Sequence, residues 1–307
     1  MTFTEQYGGV PESGGNAVDN AIGCTNAVQS AGYTSTLQAV GGNAPGQSII
    51  DNQNMKRSKN FFVRFLLEFS KNYLPKKIYS LILFFRSYKK FKKEINKDKS
   101  YIKFSENLDK INQYEYKITS QNNEDGIIEH IFKKIPNNKY FFEIGFDLYE
   151  FNSLNLIMNN WNGVLIDQNT EEYLALKNLL KYFFPKSKTI SLNEKILKEN
   201  INDIVLSNQK EKVIDFFSLD VDGNDYWILK SLNLDKINVV CCEYNHWLGN
   251  NIRKTIPYNS ENLYKNDGYF GASLLAINDL LETKGFNLIA VDSAGTNAFF
   301  VKKDFAE

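Results

Sequence analysis

Cysteine and histidine are scarce in this chain of 307 residues, which holds three of the first and two of the second. Cys24, Cys241 and Cys242 form an odd set with two adjacent members. Such a set cannot build a disulfide framework and fits a reducing compartment. No Cys/His group has zinc spacing. Long apolar runs are missing too. The longest, from Ile78 to Phe85, falls far short of the roughly 20 residues that a membrane-spanning helix needs. The opening residues lack a basic start followed by an apolar run, so no secretory leader is expected. These absences make a soluble, cytoplasmic protein the expectation. Net charge is also absent, with 36 basic and 36 acidic residues. No global field draws nucleic acid, and none is expected as a partner.

The balance conceals three zones. Residues 1–54 contain no Lys or Arg, hold half of the 18 glycines, and repeat GGNA at Gly14–Ala17 and Gly41–Ala44. So little apolar surface cannot offset the ordering entropy, and a disordered tail is expected. Either Met55 is the natural start, with an upstream extension before it, or the tail belongs to the protein. Residues 55–126 form a basic, aromatic helical extension and a polar linker. Phe61, Phe62, Phe65, Leu66 and Phe69 recur at helical spacing, as do Ile78, Leu81, Ile82 and Phe85, with a break at Pro75. One reading is a hairpin packed on the next domain. The other is a peripheral membrane contact through residues 56–100, since Lys and Arg beside Phe and Leu suit an anionic lipid surface.

From residue 127 to 307 the pattern is regular. Tyr140–Ile144, Val164–Ile166, Thr189–Ile190, Phe216–Leu219 and Val239–Cys242 read as short buried strands. Helical patterns lie between them at Phe151–Asn160, Thr170–Phe183 and Asp225–Leu232. Alternation of this kind predicts an α/β fold with a mostly parallel sheet and helices on both faces. A helix at Ser273–Lys284 then leads to strands at Phe286–Val291 and Ala298–Val301. Their connection is too short for a parallel crossover, so the last strand is antiparallel.

Phe141–Asp147 ends a strand and opens a helix. Gly145 permits a tight turn and close approach to a ligand. Glu143 is a carboxylate at the end of an apolar strand, costly to bury without a partner. Asp167 ends the next strand, 22 residues beyond Gly145, the spacing at which an acid takes ribose hydroxyls. A dinucleotide pyrophosphate needs G-x-G-x-x-G, and only Gly145 is present. S-adenosylmethionine carries no phosphate, which favours it as the cofactor.

Glu143, Gly145, Trp161–Asp167, Asp215–Trp227, Glu243–Asn245 and Asn297–Val301, in that order, resemble the FkbM-like branch of class I S-adenosylmethionine-dependent methyltransferases. The resemblance covers roughly residues 127–303. It implies the Rossmann-like methyltransferase fold and O-methylation of a sugar or other small-metabolite hydroxyl, as on a glycan or glycolipid precursor. It also implies donor binding by Glu143, Gly145 and Asp167, with adenine near Leu192 and Asn193. Tyr149 stands where the family has a second glycine, and the acid expected at Leu148 appears at Asp147. A degenerate binding module without catalysis is the alternative.

On the acceptor side, Asp220, Asp222 and Asp225 follow the fourth strand, and Glu243, Asn245 and His246 the fifth. Ligands of open α/β sheets bind at this edge. Asp220, Asp222 and His246 are the candidate catalytic residues. Asp220, Asp222, Glu243 and Asn245 offer the oxygen ligands that Mg²⁺ prefers. Asp225 reads equally as a turn or helix cap. Tyr244, Trp247 and Tyr269 could wall a sugar ring or simply pack.

Overall fold

The computed structural model describes residues 74–94, 100–101, 111–148, 150–209, 212–261 and 268–305. Every described residue lies in the unit Arg64–Glu307. The expected tail at 1–54, the helical pattern at Phe61–Phe69 and Tyr149 all fall outside the described residues.

Seven strands form one sheet: β3 (Tyr140–Ile144), β4 (Asn162–Asp167), β5 (Ile190–Asn193), β6 (Ile214–Leu219), β7 (Ile237–Glu243), β8 (Phe286–Val291) and β9 (Asn297–Lys302). Their order is β5-β4-β3-β6-β7-β9-β8. Neighbours from β5 to β7 are parallel, while β9 runs antiparallel to both β7 and β8. This is the Rossmann-like α/β sheet with antiparallel closure that the strand spacing predicts. The strand order reverses between β3 and β6, and the crevice there opens at the carboxyl ends of the parallel strands.

The period of two along each strand divides the core. Phe141, Leu165, Phe216, Val239 and Phe299 face one layer, against α1 (Lys76–Glu94), α2 (Glu124–Lys134), α3 (Leu154–Met158) and α4 (Thr170–Phe183). Phe142, Val164, Phe217, Val240 and Phe300 face the other, against α5 (Ile201–Gln209), α6 (Asp225–Ser231) and α7 (Leu274–Thr283). Each fully buried Phe contributes about 1.5–3 kcal/mol relative to exposure. Asn169 opens α4 by accepting from the Glu171 and Glu172 amides, and Ser273 opens α7 by accepting from Ala276.

Three segments differ from the sequence reading. Helix α3 spans five residues rather than ten: it starts after Ser153, whose amide donates with that of Asn152 to the Glu143 carboxylate, and it ends before Asn160, which turns to φ +63°. Helix α5 was not expected; its buried face is only Ile201, Val205 and Gln209. The expected polar linker is built into the fold from Ile111 onward. A two-stranded ladder joins β1 (Ser100–Tyr101) to β2 (Tyr116–Lys117). Asp125, buried at the start of α2, accepts from the amides of Ile118, Thr119 and Ser120 at 2.7–3.0 Å.

Candidate functional site

The crevice is a cleft of two adjoining lobes, of about 100 Å³ and about 370 Å³. Gly145, Asp167, Gln168, Asp220 and Asp222 line both. The smaller lobe continues along Ile166 and the loop Glu194–Leu197 that follows β5. The larger one runs out past Asp147 and Gln121.

Gly145 earns its position through backbone sterics. Its φ is +73°, and a Cβ there would lie 1.5 Å from the Asp220 carbonyl oxygen. Its amide donates to Ile166, and the Asp220 amide donates to Ile144, both at 2.9 Å. The close approach that requires glycine is thus to the end of β6, within the protein. Asp167 is half-buried at the end of β4. Its Oδ1 accepts from the Asn169 amide at 2.5 Å and its Oδ2 from Phe146 at 3.4 Å, leaving lone pairs toward the cleft. Burial pushes its pKa up against the lowering effect of those two amides.

Glu143 does not line the cleft. It is 2% exposed, with Oε1 accepting from the Asn152 amide and Oε2 from the Ser153 amide, each at 2.8 Å. The Ser153 hydroxyl also donates to Oε2. Burial raises its pKa to about 7. The carboxylate read as a donor ligand is here an internal acceptor that fixes the entry to α3. Asn193 is likewise occupied beside the cleft, donating to the Asp167 carbonyl and accepting from the Thr170 hydroxyl.

On the other side, Asp220, Asp222 and Glu243 each offer a carboxylate oxygen, and these oxygens lie within 4.8 Å of one another. Three like charges so close cannot all persist without a proton or a cation. Burial first, then its acidic neighbours, pushes Asp220 well above the usual carboxylate range and Glu243 to about 10. Glu243 Oε2 is buried with no hydrogen-bond partner. Asp222 is exposed at φ +55°, a left-handed conformation uncommon outside glycine. Asp225 has the turn role: it is 1% exposed at the first position of α6 and accepts from the Val221 and Gly223 amides of the preceding loop at 2.9 and 3.0 Å. It thereby shapes the loop that displays Asp222.

Two acceptor-side residues stand apart. The Asn245 side chain is committed, donating to the Gly268 and Phe270 carbonyls and accepting from the Trp247 amide. That removes it from the expected metal set. His246 is exposed in the turn of 3-10 helix His246–Leu248, edge-on to Trp247 and outside the cleft lining. Trp247 and Tyr269 are 66% and 63% exposed, whereas Tyr244 is buried. His130 stacks on Tyr114 at 3.7 Å, away from the cleft.

Sequence reasoning missed Glu194–Leu197, Ser260 and Gln121. The first is an irregular loop after β5. Ser260 arrives because Trp227 and Asn224 donate to the Ile256 and Asn259 carbonyls and so pin that loop to α6. Gln121 comes from the segment read as linker. No periodicity marks any of them; the one usable signal was their position after a strand or beside a helix start.

No protein-family model matches the chain, and no curated protein matches it in sequence. Among solved structures it is similar to the N-terminal domain of EvdMO1 with SAH bound, at 12% identity, covering 71% of this chain and 96% of that one, with a TM-score of 0.42. It is similar to an S-adenosylmethionine-dependent methyltransferase from Clostridium acetobutylicum at 11% identity, covering 57% and 88%, with a TM-score of 0.37. An O-methyltransferase from Bacillus cereus in complex with SAH matches at 15% identity, over 53% and 74%, with a TM-score of 0.34. The fold assignment rests on strand order and register, not on these likenesses.

Proposed function

We propose that this chain is an S-adenosylmethionine-dependent methyltransferase of the FkbM-like kind, acting on a hydroxyl of a sugar or other small metabolite such as a glycan or glycolipid precursor. The observation that carries the proposal is one cleft, at the point where strand order reverses, lined by Asp167 on one side and Asp220 with Asp222 on the other. No phosphate-binding glycine loop accompanies it.

The residues present fit the donor. Asp167 has lone pairs for ribose hydroxyls, and Ile166, Ile196 and Leu197 give apolar surface for a flat base. When bound, S-adenosylmethionine supplies a methyl group already activated on sulfonium. The protein's part is then positioning, which can supply much of the rate. In this reading Asp220, which lines the same cleft as Asp167, faces the acceptor hydroxyl. Its raised proton affinity suits a base that takes the hydroxyl proton as the C–O bond forms. Glu243, protonated at neutral pH, keeps the cluster from carrying three charges.

Asp220, Asp222 and Glu243 also fit a hard cation, because the donors are all oxygen and Glu243 Oε2 lacks a partner. These three would hold Mg²⁺, which would lower the proton affinity of the acceptor hydroxyl. Asn245 would not take part.

The test is transfer of labelled methyl from S-adenosylmethionine to a panel of sugar and small-molecule hydroxyls, with and without chelator. Transfer that Asp220→Asn abolishes supports the proposal. A panel with no acceptor methylated by the wild type, or equal transfer by Asp220→Asn, would overturn it.

A further inference from the structure

Helix α1 concentrates charge that the rest of the chain balances. Its 19 residues hold seven Lys or Arg against one acid, within a chain of zero formal net charge. One face of the helix is spent on the fold. Leu83 and Ser87 are buried, and the Tyr88 ring lies against Tyr182 and Phe183 of α4, with centroids at 5.4 and 5.2 Å. The face opposite Leu83 and Ser87, adjoining Tyr88, is apolar and bare: Ile78, Leu81 and Phe85 are 45%, 51% and 65% exposed.

At 3.6 residues per turn these three side chains fall within an arc of about 60°. Lys89 and Lys92 continue that arc along the next turns, Arg86 and Lys93 flank it, and all four are exposed. Beyond Tyr88 the surface extends to Tyr182, 61% exposed. A second copy of this face would set these cations against their like. An anionic lipid leaflet offers both an apolar boundary for the three bare side chains and negative headgroups for the cations. No described helix is long and apolar enough to cross a membrane, so the geometry is that of a helix lying in the interface.

We propose that this face of α1 docks the protein on an anionic membrane surface, with Ile78, Leu81 and Phe85 entering the headgroup–acyl boundary. Arg86, Lys89, Lys92 and Lys93 meet the headgroups around them. Each such cation is worth roughly a fivefold gain in affinity, so four give several hundred-fold.

The experiment is flotation of the full chain with vesicles of phosphatidylcholine alone or mixed with phosphatidylserine, at low and raised salt. The expected result is binding only to the mixed vesicles, weakened by salt. Lys89→Glu with Lys93→Glu should weaken it at least about tenfold, and more than an uncharged change would. Phe85→Ser should also weaken it, and both variants should keep the wild-type Tm and oligomeric state. Absence of flotation, equal flotation on phosphatidylcholine, or variants that float like wild type would overturn the proposal. So would a wild-type dimer that either variant converts to monomer, since the face would then be an interface between copies.

Discussion

Replacing Gly145 by Ala tests whether the cleft floor depends on close backbone packing of β3 against β6. The new Cβ must occupy a left-handed conformation at φ +73° and would lie 1.5 Å from the Asp220 carbonyl oxygen. The conformational part costs about 1–2 kcal/mol. The clash must be relieved by separating the strand ends, which breaks the Asp220 N–H to Ile144 carbonyl bond at 2.9 Å, worth about 0.5–1.5 kcal/mol net. The total is about 2–3 kcal/mol, or a fall in Tm of roughly 5–10 °C for a domain of this size. Gly285→Ala is the internal control. Gly285 has φ +87° but nothing within 4 Å of an added Cβ, so only the conformational cost applies, roughly 2–6 °C. Thermal unfolding by circular dichroism measures both variants. Equal shifts, or an unchanged Tm for Gly145→Ala, would refute the close-packing argument.

Three further predictions follow from the same geometry. Glu143 has its pKa raised from 4.5 to about 7 in the fold; the native state therefore holds a proton that the unfolded chain releases. Its contribution to stability is full below pH 4.5 and declines by about 3 kcal/mol as pH rises to 7. Urea unfolding across that range should show a shallower decline for Glu143→Gln than for wild type, and parallel curves would contradict the assignment. Asp125→Ala strips the acceptor from the Ile118, Thr119 and Ser120 amides and should cost about 2–4 kcal/mol in the same assay; a loss under about 1 kcal/mol would show that water replaces the carboxylate. Asp222→Asn should lower turnover by about 10²-fold or more while donor affinity stays near wild type, and unchanged kcat would remove Asp222 from the chemistry.

The strands were legible because a buried parallel strand is mostly apolar on both faces, and Val164–Ile166 and, but for Glu143, Tyr140–Ile144 are such runs. The antiparallel end was legible from connection length alone. Helix α5 was not, because Ile201 and Val205 are its only buried apolar residues and give too faint a stripe. At the site, Asp167, Asp220 and Asp222 could be placed because they lie at or just beyond strand ends. The duty of Glu143 could not. A carboxylate ending an apolar strand looks the same in sequence whether it awaits a ligand or accepts from the next turn. Asn245 was misread for a related reason. Its partners, the Gly268 and Phe270 carbonyls, lie 23 and 25 residues away in an irregular segment.

The proposed function requires that the cleft between Asp167 and Asp220 receive S-adenosylmethionine. Isothermal titration of the full chain with the donor tests it most directly. Saturable binding at one site is expected, weakened at least about tenfold by Asp167→Ala through lost hydrogen bonds to the ribose. No heat of binding at millimolar donor, or equal affinity in Asp167→Ala, would contradict it.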